Sequence, residues 1–129
     1  MKTFRNPPDT HQPTAPYTHQ VEVAGTERML FMSGQIGRRQ DGTVPEDSIE
    51  QFDAAFENVF RNLRAAGMDI TDIVKLTYYI VGDIDGSRRR KLIAGKLKNH
   101  KPCMTMVFVT ALAGPEYKVE IDAWAVGAK

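Results

Sequence analysis

At 129 residues the chain has the length of one domain, large enough to bury a core without staples and too small for two. Its 17 Lys and Arg against 16 Asp and Glu leave a formal net charge of +1, which excludes a global electrostatic pull toward nucleic acid or an anionic membrane. A single cysteine, Cys103, excludes an internal disulfide. With no bilayer-length apolar run and no apolar signal-peptide segment near the start, the expectation is a cytoplasmic protein without a membrane partner.

The first sixteen residues are polar and carry Pro7, Pro8, Pro13 and Pro16, which predicts an extended arm on the surface of a single domain over 1–129. Residues 17–23 and 28–33 read as strands. The four residues between them, Ala24-Gly25-Thr26-Glu27, suit a hairpin loop, so the two strands are expected to pair antiparallel. Ser33-Gly34-Gln35 ends the second strand, where glycine allows a turn and a close approach of backbone to a ligand; a simple glycine bulge fits as well.

After a turn at Gln40-Asp41-Gly42, Phe52, Phe56, Val59, Leu63 and Ala66 recur at steps of four and three, which predicts a helix over 48–66 with its apolar stripe in the core. Asp47 or Ser48 can cap its start, and Gly67 can end it. Thr71-Asp72-Ile73 reads as a capped single turn feeding a strand over 74–81. There Leu76, Tyr78 and Ile80 face one way, Thr77 and Tyr79 the other, and both faces are expected to be covered.

A second helix over 87–99 is thin in apolar residues but carries Arg88, Arg89, Arg90, Lys91, Lys96 and Lys98 without an intervening acid. That run fits RNA or another polyanion; with no aromatics interleaved for base stacking, a solvated helix face balanced by acids elsewhere is the preferred reading. His11, His19 and His100 are scattered and suggest neither acid–base RNA cleavage nor a metal site.

Residues 102–126 complete the chain with two long apolar strands. In the second, Val119, Ile121, Ala123 and Ala125 alternate onto one face, leaving Glu120, Asp122, Trp124 and Val126 on the other. Glu120 lies either on a solvated polar face or at the wall of a cleft, where a carboxylate beside an aromatic ring can be tuned for chemistry. The order strand, strand, helix, strand, helix, strand, strand predicts an α+β sandwich, with two helices on one face of a mostly antiparallel sheet. The other face, carrying Thr77, Tyr79 and Trp124, is too apolar for water, and another copy of the chain is expected to cover it.

PYTHQV around Tyr17, SGQI at 33–36, AAG at 65–67, DIVKLT at 72–77 and VEIDAWAV at 119–126 together resemble the RidA/YjgF family of enamine/imine deaminases, in order and nearly in spacing. The resemblance implies a chorismate-mutase-like fold, a homotrimer and a small-molecule cleft between subunits. It also implies a reaction without cofactor or metal, in which water hydrolyses an imine to a keto acid and ammonia. Glu120 matches the family's water-positioning acid, Tyr17 the tyrosine lining the cleft, and Ser33 with Gly34 the loop that approaches the substrate.

Where the family's deaminases carry an arginine after Pro-Ala, this chain has Pro102-Cys103-Met104-Thr105-Met106. A thioether cannot replace a guanidinium clamp on a carboxylate. Met104, Met106 and Trp124 are expected to make the cleft apolar and to favour a neutral or aromatic ligand over a simple amino-acid imine. Two functions follow: hydrolysis of another C–N bond assisted by Glu120, or binding of a small molecule without chemistry. Ribonuclease activity has only the basic helix behind it. Cys103 is expected to be a small buried hydrophobe.

Overall fold

The computed structural model describes residues 1–25 and 27–128. Strands β1 (Lys2–Arg5) and β2 (Gln20–Val23) form a small antiparallel ribbon. The main sheet has five strands: β3 (Arg28–Phe31), β4 (Gln35–Ile36), β5 (Ile73–Val81), β6 (Cys103–Val109) and β7 (Val119–Gly127). Its order is β3-β7-β5-β6, with β4 also on β7. The β3, β4 and β5 pairings with β7 are antiparallel, and β5 with β6 is parallel. Helices α1 (Ser48–Ala65) and α2 (Gly86–Leu97) complete the α+β architecture.

Alternation on the central strand positions the core. Val119, Ile121, Ala123 and Ala125 of β7 are buried, as are Leu76, Tyr78 and Ile80 of β5, and these side chains meet Phe52, Phe56, Val59 and Leu63 from α1. The Phe52 and Phe56 rings stack at 5.5 Å, and Tyr78 lies 5.3 Å from Phe52. Burying each such side chain stabilises the fold by about 2 kcal/mol. The α1 stripe is therefore packing, as its spacing predicts.

The boundaries follow local chemistry. Asp47 accepts from the Glu50 N–H at 3.1 Å and caps α1. Gly67 at φ +70 follows its end, in a left-handed conformation that costs glycine little. Asp69 caps the 3-10 turn Ile70–Asp72 that leads into β5, and Asp85 caps α2.

Strand β1 lies within the N-terminal arm, and one expectation fails beside it. Among the described residues β2 pairs with β1 and β3 with β7, so the expected β2–β3 hairpin is not formed; Thr26 of its loop lies outside the described residues. The reason is competition for strand edges. Residues 28–31 pair with residues 124–127 of β7, with Leu30 packed toward the core opposite Ala125, whereas 20–23 are satisfied by β1.

Candidate functional site

Glu120 projects from the start of β7, on the face away from the helices. Ile36 of β4 is its cross-strand neighbour, and Gly34, two residues earlier, runs beneath its carboxylate. A Cβ at position 34 would overlap Glu120 Oε2 and stand 2.6 Å from its Cδ. Glycine at 34 thus makes room for an acid laid across backbone. Ser33 lies beside it, its carbonyl accepting from the Gln35 side chain at 2.8 Å. Trp124 shares the face and meets Phe31 edge-on at 5.1 Å.

Met104 and Met106 lie elsewhere. In the parallel register they stand beside Leu76 and Tyr78, both core-facing, and both methionines pack against the core on the helix side of the sheet. The Tyr78 hydroxyl donates to Met104 Sδ at 3.2 Å, and burial pushes that phenol well above its ordinary range. Since β5 separates β6 from β7, Met104 and Glu120 are two strand spacings, roughly 10 Å, apart across the sheet, a further three residues apart along it, and on opposite faces. One chain cannot bring them to one ligand.

Tyr17 joins the β6 end. Thr18 beside it is buried, its N–H donating to the Pro102 carbonyl at 3.2 Å and its hydroxyl to the Lys101 carbonyl at 2.5 Å. The Tyr17 ring meets His19 edge-on at 5.4 Å, and His19 meets His11 at 4.8 Å. The expected site residues therefore fall into two sets: Glu120, Ser33, Gly34 and Trp124 in one, Tyr17 with Met104 and Met106 in the other.

Cys103 is not the buried hydrophobe expected. It is half-buried, faces away from the helices, and its thiol points to the His19 carbonyl at 3.7 Å. It lines a depression of about 340 Å³ together with Lys75, Thr77, Asp122 and Trp124. Sequence reading missed Lys75 and Asp122 as partners in one place; strand alternation assigns their faces, but only the register joins them. A larger groove of about 680 Å³ between the 39–41 turn and α1 lies away from Glu120. Two of its acids, Asp53 and Glu57, are both bound by Lys96, at 2.6 and 2.9 Å.

That ion pairing also bears on the basic helix. Arg88 holds Asp47 at 3.0 Å, so α2 spends Arg88 and Lys96 on neutralising α1. Among the described residues no helix is long and apolar enough to cross a membrane.

Two helices on one face of a mixed sheet, with an acid over a glycine turn on the other face, define an α+β domain of the Rid type. The chain matches the family described as Endoribonuclease L-PSP over residues 8–127 and belongs to this RidA/YjgF family. A Rid-family protein of unknown function, YyfB from Yersinia pestis, superposes with a TM-score of 0.83 at 27% identity, over 96% of this chain and 97% of that one. Escherichia coli TdcF, solved with bound serine, gives 0.71 at 31% identity over 90% and 91%. The 2-iminobutanoate/2-iminopropanoate deaminase of Mus musculus is 30% identical over 113 residues, 86% of this chain and 81% of its own length.

Proposed function

We propose that the protein hydrolyses a C=N bond in a small molecule lacking an amino-acid carboxylate, in a cleft shared by two copies of a homotrimer. The carrying observation is the Glu120 carboxylate laid over Gly34. In that setting Glu120 takes a proton as water adds to the imine carbon. The carbon–nitrogen bond then breaks as nitrogen is protonated, giving a carbonyl compound and ammonia, with no redox change and no metal. The mouse relative's name supports the reaction class. Residues on opposite faces of one sheet can share a ligand only where two copies meet, and this supports a composite cleft. Tyr17, Met104 and Met106 of one copy then meet Glu120, Ser33, Gly34 and Trp124 of its neighbour.

Met104 directs the choice of substrate. Its thioether offers no charge to a carboxylate, so amino-acid imines lose a contact worth on the order of a few kcal/mol. The test compares wild type, Met104→Arg and Glu120→Ala on imines generated in place by an amino-acid oxidase, and on neutral imines. Expected are weak wild-type turnover of amino-acid imines, a gain with Met104→Arg, and loss on every substrate with Glu120→Ala. Robust wild-type turnover of small amino-acid imines would overturn the assignment of Met104.

The second reading, a binding protein without chemistry, is favoured by the engagement of Met104 with Tyr78 and the core. It predicts thermal-shift ligands among neutral metabolites with no turnover of any imine, and ligand binding that survives Glu120→Ala. The ion pairs of α2 argue against a third reading, ribonuclease activity.

A further inference from the structure

Glu120 has a polar neighbour on β5 that lies outside the sequence motifs. The cross-strand row through it runs Ile36 on β4, Glu120 on β7, Tyr79 on β5 and Val107 on β6. Directly opposed side chains share a face with Cβ atoms roughly 5 Å apart, so Tyr79 stands beside the acid on the helix-free face. Both are half-buried, between two apolar side chains. The Glu120 carboxylate leans over Gly34, toward the edge of β7 that carries β4 and away from the edge that carries Tyr79. Of the chain's four tyrosines, three have engaged hydroxyls: Tyr17 accepts from the Thr14 N–H at 3.4 Å, Tyr78 donates to Met104, and Tyr117 accepts from Arg38 at 3.0 Å. Among the described residues the Tyr79 hydroxyl has no such partner.

We propose that Tyr79 is the acid that works opposite Glu120, its hydroxyl donating to the imine nitrogen while water held by Glu120 adds to the carbon. The inference rests on the hydrolysis proposed above and names the group that protonates nitrogen. A hydroxyl enclosed beside Ile36 and Val107 loses water and needs a partner, which the substrate nitrogen supplies. As water adds, one of its protons passes to Glu120 and its oxygen bonds to carbon. The π pair moves to nitrogen, which takes the phenol proton. When the carbinolamine breaks, its hydroxyl proton returns to the phenolate and the Glu120 proton goes to nitrogen. The C–N bond pair leaves with ammonia, a carbonyl compound remains, and both side chains end as they began, with no redox change.

The experiment compares wild type, Tyr79→Phe and Glu120→Ala, since phenylalanine keeps the ring and removes only the oxygen. The probe is the neutral imine released from benzylamine by an excess of amine oxidase, with benzaldehyde followed above the uncatalysed rate from about pH 6 to about pH 9. Circular dichroism and light scattering check folding and assembly, and imines from an amino-acid oxidase serve as a second substrate. Tyr79→Phe is expected to lose about 100-fold in rate at the alkaline end, where the imine arrives without a proton on nitrogen. The loss is expected to shrink toward the acid end, where the imine brings its own proton. Glu120→Ala is expected to be inactive throughout.

Full activity of Tyr79→Phe at every pH overturns the assignment while leaving the hydrolysis in place. So does a loss of the same size at every pH, which marks a hydroxyl that only shapes the site. A Tyr79→Phe protein that folds but no longer assembles ties the hydroxyl to the contact between copies and overturns it as well. Wild type that hydrolyses neither kind of imine removes the reaction itself and the assignment with it, a separate failure visible before any variant is made.

Discussion

Glycine at two neighbouring positions has different work to do, and the difference predicts opposite phenotypes. At 34 an added Cβ meets the far end of the Glu120 side chain, which can swing away. Gly34→Ala is expected to keep the fold, with a melting temperature within a few degrees of wild type, while abolishing the turnover that depends on the carboxylate. At 37 an added Cβ stands 2.6 Å from Gln51 Cβ and 2.8 Å from its Cα, on a helix that cannot yield. Gly37→Ala is expected to lose about 1–3 kcal/mol in urea unfolding, the usual cost of overpacking. Gln51 itself is buried with both amide hydrogens and its oxygen engaged, donating to the Pro45 and Glu116 carbonyls at 2.8 and 2.9 Å and accepting from the Lys118 N–H at 2.8 Å. It thereby fixes the backbone two residues before Glu120. Gln51→Leu strands those three backbone groups and is expected to cost about 3 kcal/mol or more.

Among the elements, the helical turns share one device. Asp47, Asp69 and Asp85 each accept a backbone N–H at the start of a helix or turn, and each carboxyl is held below the ordinary value of 3.8. The Arg88 guanidinium and then the Glu50 N–H do this for Asp47, the Thr71 hydroxyl and N–H for Asp69, and the Arg88 N–H for Asp85. A carboxyl whose pKa is lower folded than unfolded binds fewer protons in the folded state. Its stabilisation is therefore full above the ordinary value and is lost as pH falls below it, through the folded value. Thermal melts are expected to decline on acidification through that range. Asp47→Asn keeps an oxygen for the cap but no charge, so the variant should show a shallower decline; an unchanged slope would remove Asp47 from the account.

For the whole molecule, the single tryptophan reports on assembly. Trp124 is half exposed in one chain, on the face proposed to be covered by neighbours. Its emission is expected at short wavelength at high concentration and to move to longer wavelength on dilution. The shift should follow the same midpoint as light scattering. Phe31→Ala, which removes the ring lying edge-on to Trp124, should bring that midpoint to higher protein concentration. Emission that stays at one wavelength while the particles dissociate would place Trp124 outside the contact.

Local chemistry written in the sequence determined the core face of α1, the alternation of β5 and β7, the capped start of α1 and the place of Glu120 among outward-facing residues, because these depend on periods of 3.6 and 2 and on neighbours a few residues away. The motifs at 17, 33–36 and 119–126 marked the family. Only the tertiary structure decided that β2 turns to β1 rather than to β3, that Met104 faces Tyr78 and the core, that Arg88 and Lys96 of α2 pair with acids of α1, and that Lys75 and Asp122 share one depression. Each of those depends on which strand lies beside which and in what register, and pairings between segments tens of residues apart leave no periodic trace in the chain.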